Sequence, residues 1–239
     1  MTAPEKPAGS DIYRDGTYAR TNPTWHEEDS PWKARQILRL LERNDLHPAT
    51  LCEVGCGAGE ILRRLAEQLD SRVRCYGYEM SPQAFERCRA KAGQNLTYVC
   101  QDLLEENERA FDIVLAIDVF EHIEDYLGFL RKLRDKGTYK IFHIPLDLSV
   151  QAVWRRTPIR RAREQMGHLH FFTKETALAA LETAGYNVLD WFYTAGSLEA
   201  PTRRWTARVL AVPRKLLFAL HQDAAARWLG GFSLLVLAQ

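Results

Sequence analysis

Four carboxylates recur at the ends of apolar, strand-like segments of this sequence. Glu53, Glu79, Asp102 and Asp118 each end or follow one of four successive segments. Because the carboxyl ends of parallel strands lie at one edge of a sheet, we expect these side chains to face a common crevice. Carboxylates in such positions can accept hydrogen bonds from ribose hydroxyls and from an adenine amino group. The pattern therefore indicates a nucleoside site.

A glycine-rich turn lies between the first of these segments and the helical segment that follows. Gly55, Gly57 and Gly59 in EVGCGAGE allow a tight turn and let a ligand approach bare backbone. The GxGxG spacing differs from the GxGxxG of dinucleotide-binding proteins, and no lysine typical of a P-loop follows. Taken alone, the turn also suits plain strand–helix packing, but the surrounding carboxylates favour a ligand.

Histidines are the candidate general bases. His122 follows Glu121 in a D-x-x-E-H motif, and His168 and His170 lie in the later segment GHLHFFT. His143 stands near the end of the fifth strand-like segment. Taken singly, each of these histidines could instead be a structural residue that packs in the protein interior. The pairing of the EH dipeptide with the later HxHFFT favours His122 and His168 as catalytic residues, together with Glu121.

Strand and helix patterns alternate from residue 50 onward. Phe111–Ile117 is a nearly continuous apolar run, as expected for a central parallel strand buried on both faces. The alternation predicts an α/β fold with a Rossmann-like, doubly wound, seven-stranded and mostly parallel sheet. Two segments, 145–172 and 195–231, interrupt it after the ends of strands. We expect a single domain, 50–239, in which these two cap insertions lie on the ligand side of the sheet.

The motifs EVGCGAGE, YGYEMSP, CQDLLEE and FDIVLAIDVFEHIED resemble the successive motifs of class I S-adenosylmethionine (SAM)-dependent methyltransferases. The resemblance implies an antiparallel last strand and SAM as the cofactor. It also implies that the three glycines line the methionine part, that Glu79 holds the ribose, that Asp102 holds the adenine edge and that Asp118 holds the amino acid end. The expected cofactor-binding residues are Glu53, Gly55, Gly57, Gly59, Glu79, Met80, Asp102, Leu103 and Asp118.

The segment 11–33 resembles bacterial small-molecule methyltransferases of glycan and natural-product pathways. This resemblance implies a sugar hydroxyl or a related hydroxyl as the acceptor, which needs a base in addition to in-line alignment. We predict a disordered tail over 1–10 and an N-terminal lid and helix over 11–49, with a helix that merely packs on the sheet edge as the alternative. The expected substrate-binding residues are Trp25, His26, His143, His170 and Arg155.

Asp118, Glu121, His122 and His168 also resemble the metal ligands of small-RNA 2′-O-methyltransferases and of some ubiquinone-pathway O-methyltransferases. Two carboxylates and two histidines suit a divalent cation with open positions. The sequence departs from that pattern because Asp118 stands where those families have glutamate, so we expect no metal. A metal-dependent RNA 2′-O-methyltransferase and a non-catalytic SAM-binding partner protein are the alternative functions.

The bulk composition points to a cytoplasmic protein. The five cysteines lack metal-type spacing, which indicates free thiols in a reducing compartment. The first twenty residues are polar and lack the apolar core of a signal peptide, so we expect none, and no apolar run reaches the roughly 20 residues that span a bilayer. A formal charge of +1 gives no global field for nucleic acid.

Charged residues are distributed unevenly along the chain, although the net charge is only +1. Five arginines crowd the 145–172 insertion, and basic residues interleave with large apolar ones over 203–229. We expect these runs to be solvated faces or to attract an anionic small-molecule substrate, with peripheral membrane contact through 203–229 as a further alternative. A monomer or a homodimer is expected.

Overall fold

The computed structural model describes residues 20, 22–25, 27–106, 110–199 and 205–239. His26, an expected substrate-binding residue, lies outside these ranges, as does the predicted tail over 1–10. The strands in the described part are β1 (Thr50–Val54), β2 (Arg74–Tyr78), β3 (Leu96–Val99), β4 (Phe111–Ile117), β5 (Gly137–Leu146), β6 (Val188–Thr194) and β7 (Phe232–Ala238). The helices are α1 (Ser30–Arg43), α2 (Glu60–Gln68), α3 (Pro82–Arg89), α4 (Tyr126–Leu133), α5 (Val150–Arg155), α6 (Thr157–Arg161), α7 (Lys174–Thr183), α8 (Gly196–Glu199), α9 (Trp205–Leu220) and α10 (Gln222–Leu229).

The strands form one seven-stranded sheet in the order β3-β2-β1-β4-β5-β7-β6. The pairs from β1 to β5 are parallel, whereas β7 runs antiparallel to both β5 and β6. The predicted Rossmann-like α/β fold with its antiparallel last strand is therefore confirmed. Strand β2 lies on one side of β1, and β4 lies on the other side. The direction in which successive strands are added therefore reverses between β1 and β4, which creates a crevice at the carboxyl ends of these two strands.

The sheet is buried on both faces because helices cover it. On one face, α1 and α2 pack together, and Ile37, Leu40 and Leu62 join Leu51 and Ile113 in an apolar cluster. The second cluster, on the other face, contains Phe129, Leu130 and Leu181 from α4 and α7. Every residue of β4 except Asp112 is buried, as its continuous apolar sequence predicts.

The two insertions are helical. The segment after β5 forms α5, α6 and a turn of π-helix over Ala162–Met166, and the segment after β6 contributes α8, α9 and α10. In the described ranges, no helix has the length and apolar character needed to cross a membrane.

Candidate cofactor and acceptor site

A cavity of about 990 Å³ lies at the carboxyl edge of the sheet, around the ends of β1, β2, β3 and β4. All nine residues expected to bind the cofactor line this cavity. The expected catalytic residues Glu121, His122 and His168 line it as well, together with Trp25 and His143. The fold thus brings the glycine turn and the histidine motifs, which lie far apart in the sequence, into one space.

The glycine turn follows β1 in a left-handed backbone conformation. Gly55, Gly57 and Gly59 have φ values of 65°, 54° and 76°, which L-residues with a side chain rarely adopt. The backbone N–H of Gly57 donates to Glu79 Oε2 at 2.8 Å, and the N–H of Ser81 donates to Oε1 at 2.7 Å. Burial raises the pKa of Glu79, and these N–H donors oppose that rise. Glu79 therefore ties the turn to the end of β2, and each oxygen retains a lone pair for a ligand hydroxyl.

The other acidic residues near the turn differ in their surroundings. Glu53 is buried in β1, and burial raises the pKa of its carboxyl group well above the ordinary range. Asp102 caps the short helix that begins at Leu103 by accepting from the N–H of Leu104 at 2.9 Å. Met80 is exposed beside Glu79. Glu53 thus forms part of the wall, whereas the region near Asp102 and Met80 is open to a ligand.

Asp118 is held by two cationic or polar partners at the end of β4. Its carboxylate lies 2.7 Å from Lys33 Nζ of α1 and 2.5 Å from His143 Nδ1 of β5. Burial opposes ionisation, but His143 and Lys33 keep the pKa of Asp118 far below its usual range. The residue also has a φ of 55°, a conformation that is uncommon for aspartate. Such a strained, ionised carboxylate can accept the ammonium group of a bound amino acid.

Two residues of this network fall outside the predicted set. Lys33 lies one helical turn into α1. Burial lowers the pKa of Lys33, but the charge of Asp118 outweighs burial, so the pKa is raised above its ordinary value. Thr194, at the end of β6, contacts His143 Nε2 through its hydroxyl at 2.9 Å. Both ring nitrogens of His143 are therefore engaged, so this histidine fixes Asp118 and is poorly placed to take a proton from a substrate. A single lysine in a predicted helix gave no sequence signal for such a contact.

The histidine motifs meet at the acceptor end of the cavity. The rings of His122 and His168 lie edge to face with centroids 4.8 Å apart. His168 Nδ1 is 2.6 Å from Oδ2 of Asp147, a residue that belongs to none of the sequence motifs. With Nδ1–H donating to that carboxylate, Nε2 of His168 carries the free lone pair. The carbonyl of Glu121 accepts from the N–H groups of Leu169 and His170, which anchors the GHLHFFT segment to the D-x-x-E-H loop.

Three of the four residues in the metal-like set come together. One ligand atom each from Glu121, His122 and His168 lie within 4.8 Å of one another. Glu121 is fully buried, neither of its carboxylate oxygens has a hydrogen-bond partner among the described residues, and burial raises its pKa well above the usual range. A carboxylate and two imidazoles suit a divalent transition metal or zinc. Asp118 does not belong to this group because it pairs with Lys33 and His143.

Two residues expected to bind substrate do not reach the cavity. His170 Nε2 lies 3.0 Å and 3.1 Å from the backbone carbonyls of Ile123 and Glu124, and its ring packs on Tyr126. Arg155 is exposed at the end of α5 and does not line the cavity. His170 therefore holds a loop, and Arg155 faces solvent. Trp25 does line the cavity, and its ring lies near Gly57.

The fold, the glycine turn and the carboxylates that follow successive strands define the SAM-dependent methyltransferase class. Residues 25–190 match the family model described as a methyltransferase domain, and the chain belongs to that family. The cofactor of this class is SAM, as bound SAM or its product S-adenosylhomocysteine (SAH) in solved structures of the same fold shows.

Several known proteins are similar to this chain. The ubiquinone biosynthesis O-methyltransferase of Neisseria meningitidis serogroup C is 25% identical over 127 residues, which cover 48% of this chain and 52% of that protein. That of Xanthomonas campestris pv. campestris strain B100 is 25% identical over 202 residues, covering 75% and 81%. The chain thus spans about half the length of the first of these relatives. The magnesium protoporphyrin IX methyltransferase of Synechocystis PCC 6803 with bound SAH has a TM-score of 0.62 at 15% identity, covering 96% and 98%, which shows the shared fold.

Proposed function

We propose that this protein transfers the methyl group of SAM to a hydroxyl group of a small-molecule acceptor. The observation that carries this proposal is the Asp147–His168 pair, at 2.6 Å, in the same cavity as the glycine turn. A buried histidine oriented by a carboxylate is suited to remove the proton of a hydroxyl. The relatives in ubiquinone biosynthesis are O-methyltransferases by name, which supports an oxygen acceptor. The proposal that the acceptor is a sugar or another glycan-pathway molecule depends on the sequence resemblance. The free cysteines support the proposal that the protein is cytoplasmic.

The proposed reaction assigns a separate task to each end of the cavity. Glu79 and Asp118 hold the ribose and the amino acid part of SAM, and the glycine turn lets the cofactor lie against backbone. His168 takes the acceptor proton while the oxygen attacks the methyl carbon and the sulfonium becomes a neutral thioether. Because charge disperses in this step, exclusion of water by Trp25 and Trp32 would favour it. The proton passes from His168 to solvent after the product leaves.

Substitution of the proposed base provides the test. We expect His168→Ala to lower turnover by roughly 10²- to 10⁴-fold while the affinity for SAM is unchanged. Asp147→Asn should retain the shape of the pair but lower turnover by a smaller factor, because the amide no longer stabilises the imidazolium of His168. His47→Ala is the matched control, since His47 is exposed and outside the cavity. Full activity of both site variants on a hydroxyl acceptor would contradict the assignment.

A metal-assisted version of the same reaction is the second candidate. The buried Glu121 carboxylate without a hydrogen-bond partner among the described residues, next to His122 and His168, favours it. Glu121 and the two histidines would hold the ion, and the ion would lower the pKa of an acceptor hydroxyl. The orienting bond from His168 to Asp147 is of the kind that metal-bound histidines make. We expect no metal requirement for activity in the base mechanism, so loss of activity in EDTA with recovery on adding Zn²⁺ or Mg²⁺ would favour the metal.

A panel of acceptors separates the remaining functions. Methylation of sugars or phenols but not of RNA would agree with the proposal. Methylation of RNA 2′-hydroxyls with a metal requirement would instead support the RNA 2′-O-methyltransferase alternative. SAM binding without turnover on any acceptor would favour the non-catalytic partner protein.

A further inference from the structure

The helices of the two insertions expose an unusual set of large apolar side chains. Helix α5 packs against α10, and α10 packs against α9, so the three helices lie next to one another. Trp154 is 84% exposed, Leu220 is 75% exposed and Trp228 is 60% exposed. We use the term helical surface for the exposed apolar side chains of these three helices. They are Val153, Trp154, Val212, Leu216, Leu220 and Trp228.

The exposed apolar residues of α9 follow a helical spacing. Val212, Leu216 and Leu220 recur every four residues along α9, which places them on one side of the helix. Leu217 and Phe218 of the same helix instead pack against the core. An apolar face turned away from the core marks a binding surface.

Cationic side chains accompany this apolar face. The segment from α5 through the π-helix contains the exposed residues Arg155, Arg156, Arg160, Arg161 and Arg163 against the single acid Glu164. The ion pair found for this group among the described residues joins Arg160 to Glu164 at 3.8 Å. Lys215 adds another exposed cation on α9. A surface with exposed tryptophans and a cationic border suits the headgroup region of an anionic bilayer.

We propose that the helical surface attaches the protein peripherally to a membrane that contains anionic lipid. Tryptophan and leucine side chains would enter the acyl boundary while the arginines contact lipid phosphates. A second copy of the chain is a poorer occupant, because a two-fold contact would bring the same cation-rich surface from both copies together.

Met166 connects the cationic segment beside the helical surface to the cavity. Met166 ends the π-helix that continues from α6, is 37% exposed and lines the cavity. Two residues further on, His168 is buried in the acceptor end. Membrane attachment through α5, α9 and α10 would therefore place the acceptor end of the cavity near the lipid headgroups. This proposal is independent of the proposed reaction and needs no activity to be tested.

Co-sedimentation with vesicles tests the proposal on the full chain. One set of vesicles contains phosphatidylcholine alone, and the other contains phosphatidylcholine with phosphatidylglycerol. We expect binding to the second set that weakens as salt increases. Trp154→Ser should reduce the partition coefficient about tenfold, and Arg156→Gln or Arg161→Gln about fivefold each. Leu189→Ser on β6 and Arg74→Gln on β2, exposed residues outside the helical surface, are the matched controls and should bind as the wild type does.

The outcomes separate the membrane from other occupants. Equal binding by Trp154→Ser and wild type would overturn the proposal, provided circular dichroism shows both folded. Failure to bind either vesicle set would also overturn it. Light scattering that shows a dimer broken by Trp154→Ser would assign the surface to a second copy instead. SAM binding by calorimetry should be unchanged in all these variants, which distinguishes loss of attachment from loss of the cofactor site.

Discussion

The glycine turn offers a prediction whose size can be worked out from the structure. An alanine Cβ at Gly59 would lie 2.6 Å from Cys88 Cβ and 2.6 Å from Tyr98 Cε1, closer than carbon atoms can approach. The backbone there also has a φ of 76°. The carbonyl of Gly59 accepts from the hydroxyl of Tyr98 at 2.5 Å, so the turn cannot move away without breaking that hydrogen bond.

The expected cost of Gly59→Ala has two parts. The left-handed backbone costs roughly 1–2 kcal/mol with a side chain, and overpacking against α3 and β3 costs roughly 1–3 kcal/mol. We therefore expect the free energy of unfolding to fall by about 2–5 kcal/mol. Gly57→Ala shares the positive φ but meets nothing nearer than Trp25 at 3.8 Å, so it should lose about 1–2 kcal/mol only.

Urea unfolding followed by circular dichroism measures these changes. Gly93→Ala is the matched control, because nothing lies within 4 Å of the added Cβ. It should be neutral or stabilising by up to about 1 kcal/mol through the unfolded chain. The order of stability is then Gly93→Ala, Gly57→Ala, Gly59→Ala, from highest to lowest. Equal losses at Gly57 and Gly59 would refute the packing argument, and a stable Gly59→Ala would refute the conformation of the turn.

Three further substitutions probe the charged groups around the cavity. Glu79→Ala should weaken SAM binding by roughly 1.5–3 kcal/mol in calorimetry, since a ribose hydrogen bond and the support of Gly57 are both lost; unchanged affinity would count against this site. Lys33→Met should destabilise the fold by roughly 1.5–3 kcal/mol in urea, because it removes a charged hydrogen-bond partner from a partly buried carboxylate, and Lys33→Met/Asp118→Asn should recover part of that loss. Hydrogen bonds from Arg63 and then Arg64 lower the pKa of Glu60 to about 2. Because the folded pKa is depressed, this stabilisation is complete above the unfolded pKa and is lost as the pH falls through the folded pKa. Glu60→Gln should therefore cost about 1–3 kcal/mol near neutral pH, with a gap to wild type that narrows from about pH 4 and closes near pH 2.

The arginines of the 145–172 insertion illustrate a limit of sequence reasoning. Their number predicted attraction of an anionic acceptor to the cavity. In the structure Arg155, Arg156 and Arg160 are exposed to solvent, and Arg155 directly follows the exposed Trp154. The same composition therefore supports a different partner, because the direction of each side chain depends on how α5 and α6 pack.

The sequence by itself determined the sheet and the cofactor end of the cavity. Strand and helix periods are local, and residues that end parallel strands meet at one edge whatever the details of packing, so Glu79, Asp102 and Asp118 could be placed around the glycine turn without coordinates. Only the tertiary structure decided the partners of these groups. The Lys33–Asp118 and Asp147–His168 pairs join residues from separate elements, and their formation depends on how α1 docks on the sheet and how the loop after β5 folds back. The same packing left His170 holding a loop and His168 facing the cavity, although the two stand two residues apart in one motif.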